Sequence, residues 1–237
     1  MLLSKIPDYF LNPCSYGFEL FVTIRRNTMT TANMTSAMSD NVWEMEKGEV
    51  RKPGIVHIVA LALFTGIGIV VGTFGSLAVP IGFVSAFWPG QAIQAVGSVW
   101  YGMWGGLAAF IFPLISNAMS GSAPLPVSLA YIPGNFVQGM AAGWIFRQLK
   151  LNPSLKFGRD WLWFTLVGIL GANAFGALWG TTVLRLFGLI TPSAQPVAWA
   201  GWFLGNSVAS WVLGVLMLKF LSPLVVKTKA FCKGYWA

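Results

Sequence analysis

The sequence predicts an all-α, polytopic integral membrane protein of about six transmembrane helices, and three observations predict it. Charged residues are 9% of the 237-residue chain and hydrophobic residues 56%, whereas a typical soluble domain is roughly 25% charged. From Gly54 to Phe146 there is no Asp, Glu, Lys or Arg, and from Trp161 to Leu218 only Arg185. Each charge at a bilayer centre costs about 2.5–3.5 kcal/mol on insertion scales, so such stretches read as spans. Third, the cations collect at the ends of the apolar runs, as flanks do. A soluble globule and a disordered chain are both excluded by this composition. The net charge of +8 is no nucleic-acid signal, because no basic stripe carries interleaved aromatics. Cys14 and Cys232 lie near opposite ends without CxxC spacing, which suggests neither a disulfide framework nor a zinc site.

Residues 1–53 form a polar N-terminal extension with six of the seven acids, expected to be cytoplasmic and largely disordered. It has no charged n-region followed by an apolar h-region, hence no signal peptide. Pro7, Asp8, Pro13 and Glu19 argue against a span in Leu2–Ile24, and Met29, Met34 and Met38 are alternative starts. The Asn33 sequon is idle if this end is cytoplasmic. Residues 54–225 form the six-helix domain. A span needs about 20 residues at 1.5 Å each. The segments fall near 55–75, 81–100, 102–119, 126–147, 161–187 and 198–221, punctuated by Pro80, Gly102–Gly106, Pro124, Pro126, Pro153, Pro192 and Pro196. Residues 226–237 read as a short basic cytoplasmic tail. Arg51 and Lys52 precede the first segment. Arg147, Lys150, Lys156 and Arg159 separate the fourth from the fifth. Lys219, Lys227, Lys229 and Lys233 follow the sixth. Four and then two spans put all three clusters on the cytoplasmic side of the cell membrane, with both termini inside. Arg185 snorkels at the outer end.

The spans contain amides where acids are missing. Measured from the nearest inner end, Asn135 lies roughly 18 Å up, Asn206 roughly 20 Å, Asn173 roughly 21 Å and Asn117 roughly 22 Å, with Gln91 and Gln94 at roughly 16 and 12 Å. A buried amide without a partner costs about 1–3 kcal/mol, so amides at one depth face each other or a wet cavity. Two readings stand: helix–helix glue at about 0.6 kcal/mol per bond, or a small-molecule pocket with Gln138 beside Asn135. Trp88, Trp100, Trp104, Trp179, Trp199, Trp202 and Trp211 are rings able to stack a planar ligand, although interfacial Trp residues commonly anchor the belt. Trp88 stands out because Pro89-Gly90 follows it. Pro89 removes a donor and Gly90 loosens the helix, so the second span is expected to break there, and broken spans line cavities. Candidate ligand-binding residues are therefore Trp88, Gln91, Gln94, Asn117, Asn135, Gln138, Asn173, Trp202 and Asn206. Ala62 with Gly66, Gly68 with Gly72 and Gly139 with Gly143 are small-xxx-small pairs for close helix packing. Gly134-Asn135 with Gly143 and Gly205-Asn206 with Gly214 repeat at an offset of 71 residues, which suggests two related helix pairs.

No catalytic constellation appears, so an enzyme is not expected, nor a cofactor. His57 is the only His, and a lone His at an interface reads as structural rather than as a proton relay. HExxH, GxSxG and P-loop motifs are absent. Without membrane carboxylates, neither a metal site nor an acidic proton relay is expected.

Residues 54–225, and the phrase Tyr101-Gly102-Met103-Trp104-Gly105-Gly106-Leu107-Ala108 in particular, resemble the S components of energy-coupling factor (ECF) vitamin transporters. That resemblance implies about six spans, a substrate pocket open to the outside, a membrane coupling subunit and separate ATPases. Phe87-Trp88-Pro89-Gly90, Asn117 with Gly121, Gly134-Asn135 and the Trp199–Gly205 stretch also resemble the first class of membrane-associated sensor domain. There Asn206 stands where Asp is usual. The sensor resemblance implies a separate signalling output protein, since no kinase or cyclase follows Val225. Either way the expected partners are the lipid bilayer and a small uncharged or weakly charged ligand, with no nucleic acid.

Overall fold

In the computed structural model the described residues are 41–78, 80–81, 84–85 and 87–237. The expectations for Cys14, Leu2–Ile24, the alternative starts and the Asn33 sequon fall outside them. Val42–Ala237 form one compact unit. In chain order its elements are α1 (Ile55–Ala78), a two-residue antiparallel ribbon of β1 (Pro80–Ile81) and β2 (Val84–Ser85), α2 (Gly90–Tyr101), α3 (Met103–Ser120), α4 (Leu125–Ala130), α5 (Ile132–Gln148), α6 (Gly158–Trp163), a π-helical stretch (Phe164–Gly171), α7 (Ala172–Leu186) and α8 (Gln195–Val225). The ribbon pairs Pro80 with Ser85 and Ile81 with Val84. The protein is thus a helical membrane protein. Ile55–Gly75, Met103–Ser120, Gly158–Leu186 and Gln195–Val225 are each long and apolar enough to cross a bilayer.

The other two expected segments take different forms. The helix expected from residue 81 starts only at Gly90, because Pro89 occupies its N-cap and the ribbon takes up Pro80–Ile81 and Val84–Ser85. At 12 residues α2 is about 18 Å long, short of a full crossing. It packs against α1, α3, α5 and α8 and is buried from Gly90 to Trp100, so it is the central post of the bundle. The fourth segment is broken at Tyr131 into α4 and α5. Pro133 lacks the N–H that would continue the ladder to Leu129. The fifth runs unbroken through α6, the π stretch and α7. Its wide turns pack against α5, and beyond them Asn173, Gly176, Ala177, Gly180 and Thr181 are buried.

The apolar core joins Phe64 of α1, Trp100 of α2, Phe112 of α3, Phe146 of α5, Phe164 of the π-helical stretch and Leu218 of α8. Four of the six expected packing residues, all glycines, hold close helix contacts. Gly68 lies under the Phe112 ring, Gly72 against Ser116, Gly139 against Ala109 and Gly143 against the Ser98 carbonyl. Ala62 and Gly66 instead lie on the exposed side of α1, and nothing stands over Gly66. The tight turn from α2 to α3 uses Gly102 at φ +56°, with the Tyr235 carbonyl lying where a Cβ would be.

The described residues on either side of the helices are packed. Trp43 is buried, its Nε1 donating to the Leu151 carbonyl at 2.7 Å, so residues 42–53 belong to the compact unit. Phe231 and Cys232 are fully buried, so 226–237 is a folded segment and not a loose tail. Arg147 joins the two. Its guanidinium donates to the carbonyls of Ser98 (2.8 Å), Gly143 (2.9 Å), Cys232 (2.8 Å) and Gly234 (2.7 Å) and lies 4.8 Å from the Trp43 ring. Ser98 belongs to the last turn of α2, and its carbonyl accepts from the Gly102 amide at 3.0 Å as well as from Arg147. Across the same end, Glu49 pairs with Arg51 (2.6 Å) and Lys233 (2.7 Å). Those two cations and the Glu46 amide hold the Glu49 carboxyl down at about 2, the Lys233 bond contributing most. The buried Asp160 carboxylate accepts from the Asn152 and Phe157 amides at 3.1 and 2.9 Å, shaping the turn before α6.

Candidate functional site

Polar side chains in an apolar bundle must find each other, because lipid offers no partners. Here they form one chain of contacts across α5, α7, α8 and α2. Gln138 Nε2 donates to Asn173 Oδ1 at 2.8 Å. Asn173 Nδ2 donates to Ser207 Oγ at 3.3 Å and Ser210 Oγ at 3.2 Å. One turn along α8, Asn206 Nδ2 donates to Gln91 Oε1 at 3.3 Å. Gln94, one turn below Gln91 on α2, donates to the Ala109 carbonyl at 2.6 Å. Gln91 Nε2 and Gln94 Oε1 are buried without a partner among the described residues.

Where α4, α5, α7 and α8 meet, this network reaches a crevice. Its rings are Tyr131, Trp179 and Trp202, its amides Asn135 and Gln138, and its backing Gly134, Gly176 and Gly180. Each glycine is required by the group laid on it. A Cβ at 180 would enter the Trp202 ring, one at 176 the Gln138 amide, and one at 134 would stand 2.9 Å from Trp179. Tyr131 meets Trp202 edge-on at 5.4 Å. Trp179 Nε1 donates to the Ala130 carbonyl at 2.8 Å. The crevice is closed as it stands, its walls leaving no room even for a water molecule. A ligand therefore has to displace Trp179, the more exposed of the two indoles, and takes the space that ring vacates against Trp202. No charged residue lines the crevice.

The structure divides the nine candidate residues. Asn135, Gln138 and Trp202 line the crevice. Asn173 stands behind it, bonded to Gln138. Asn206, Gln91 and Gln94 lie deeper, between α8, α2 and α3. Asn135 and Asn206, equivalent in the repeat, thus sit in different surroundings. Trp88 and Asn117 serve local packing. Trp88 stacks on Phe112 at 6.0 Å and donates to the Gly72 carbonyl at 3.0 Å. Asn117 donates to Ser128 Oγ and accepts from Ser122 Oγ, both at 3.1 Å, tying the turn from α3 to α4. The remaining expected stacking rings are engaged through their N–H groups: Trp100 with Ser222, Trp104 with the Trp236 carbonyl, Trp199 with the Ala174 carbonyl and Trp211 with Thr165. Tyr131, Ser207 and Ser210 were not among the expected residues. A Tyr two residues before a helix-breaking Pro, and hydroxyls one and four residues after an Asn, are the signals that point to them. His57 stacks on Trp104 at 6.0 Å, and its Nδ1 accepts from the Gly54 amide at 3.2 Å.

No known protein family, curated protein or solved structure matches this chain.

Proposed function

We propose that the protein is an integral membrane small-molecule-binding subunit, and that it serves as the substrate-specific component of an ECF-type uptake transporter. The observation that carries this reading is the crevice. Three aromatic rings and two amides converge there, without a charge, on a network of buried hydrogen bonds that holds one of them in place. A pocket of rings and a few placed polar groups is the usual construction of a small-molecule site. Its ligand is a neutral, planar molecule. The central half-length α2 and the broken α4–α5 pair count as two further spans, giving six. The clusters of Arg51, Arg147 and Lys219 then face the cytoplasm with both termini. Inward release is the work of separate ATPases and a coupling subunit.

The test is binding by the purified protein to a panel of neutral heteroaromatic compounds, read as a melting shift. A genuine ligand raises the melting temperature, loses that effect in Trp202→Ala and Asn135→Leu, and keeps it in Trp88→Phe. Losing one ligand hydrogen bond costs about 1–3 kcal/mol, roughly 5- to 150-fold in affinity. Reconstituted alone, the protein binds ligand but builds no gradient. Accumulation without a partner sinks the transporter-subunit reading, and a ligand indifferent to both crevice variants sinks the crevice. A sensor instead shows a ligand that stabilises the protein but is never carried inward when an ATPase module is supplied.

A further inference from the structure

We propose that Asn173 is a positioning residue that fixes the hydrogen-bond polarity of Gln138, so that the crevice selects a neutral ring carrying an N–H donor. The inference rests on the crevice being the ligand site and names the ligand class it takes.

The argument begins on α8. Ser210 has one hydroxyl proton, and its Oγ lies 2.6 Å from the Asn206 carbonyl and 3.3 Å from the Ser207 carbonyl. Carbonyls only accept, so the proton goes to them and Ser210 Oγ is left as an acceptor. Asn173, fully buried on α7, must therefore turn its amino group toward α8, where Ser210 and Ser207 accept it. That leaves Asn173 Oδ1 facing α5 as an acceptor. Gln138 answers with its own amino group at 2.8 Å. Flipping the Gln138 amide would set two carbonyl oxygens against each other in a buried site, where an unmade bond is expensive. Gly176 lets this amide lie flat between α5 and α7. Gln138 Oε1, given no donor by the described residues, is the acceptor that this lining residue offers a ligand. The preference for a donor is thus written by a serine two helices away.

Indole and benzofuran test it. They share shape and neutrality and differ in one atom, an N–H donor against a ring oxygen. In the full-length wild-type protein, indole raises the melting temperature at concentrations about 10-fold or more below those benzofuran needs, the cost of an unpaired acceptor. Asn173→Leu frees the Gln138 amide to turn, and the two probes draw level. Ser210→Ala, a gentler change that removes only the last acceptor, narrows the gap in the same direction and serves if Asn173→Leu does not fold. Trp202→Ala weakens both probes together. Equal binding in wild type, abolished by Trp202→Ala, leaves the crevice standing and overturns the polarity. A wild-type preference that survives Asn173→Leu and Ser210→Ala also overturns it. No shift with either probe overturns both.

Discussion

Arg147→Met is the most informative single perturbation of the fold. Arg147 contacts carbonyls and rings, and its bonds to Ser98, Cys232 and Gly234 tie α5 to α2 and to the C-terminal segment. A hydrogen bond to a charged group contributes about 1.5–3 kcal/mol, so these three give roughly 4–9 kcal/mol gross. Met returns the several kcal/mol spent on burying the guanidinium and fills much of the same space. We expect a net loss of about 3 kcal/mol, which for a chain of this size lowers the melting temperature by roughly 6–12 °C. Arg147→Lys keeps the charge but not the planar fork and falls in between. Cys232 gives a local readout. Burial pushes its thiol up to about 11, the neighbouring Arg147 pulling weakly the other way, so maleimide labels it slowly near neutral pH. In Arg147→Met the segment loosens and labelling accelerates. A melting change under 2 °C with Cys232 still unreactive would refute the assignment of Arg147 as the lock of this end.

Gly176→Ala drives a methyl into the Gln138 amide. It should cost about 1–3 kcal/mol by overpacking and weaken any crevice ligand; unchanged melting and binding would contradict the close approach. Trp88→Phe keeps the stack on Phe112 and loses the bond to Gly72, for about 1 kcal/mol and a drop of roughly 2–4 °C, with ligand affinity unaltered. Glu49 sets a pH window. Its folded pKa of about 2 lies below the ordinary 4.5, so its contribution is present above pH 4.5 and is lost as pH falls toward 2. Amide exchange in residues 228–237 should rise across that window, and Glu49→Gln should abolish the pH dependence. For topology, a Cys14→Ser background with Lys229→Cys should react with an impermeant maleimide only after permeabilisation, and Ser193→Cys in intact cells. The reverse pattern would invert the orientation.

The amide layer was legible because depth alone brings polar groups together in a membrane. Asn206 meets Gln91 at a similar estimated height, whereas Gln138, three residues nearer the inner end than Asn135, reaches Asn173 from more than a turn lower. The break at Pro89-Gly90 was legible for the chemical reason that Pro89 has no N–H to donate. What depth does not give is rotation about each helix axis. The side of α7 that Asn173 presents depends on the π-helical turns at Phe164–Gly171, whose altered phase no apolar period reveals. Trp88 and Asn117 have the right chemistry at plausible depth, yet face α1 and the α3–α4 turn. Arg147 reads in sequence as one of four cations in a cytoplasmic loop. Its burial follows from carbonyls on Cys232 and Gly234, a segment more than eighty residues away, and backbone carbonyls carry no residue-specific signal.

The three glycines beneath the crevice also constrain how this chain can change over time. Gly134 and Trp179, Gly176 and Gln138, and Gly180 and Trp202 each share space that only one member of the pair can fill. A methyl gained on one side has to be matched by a smaller group on the other, so neither position drifts alone. In a collection of descendant sequences these pairs should vary jointly, small with large and the reverse. Trp88 over Gly90, whose ring occupies space beside that glycine, should follow the same rule at the head of α2. Joint variation would then trace the crevice walls without any ligand in hand.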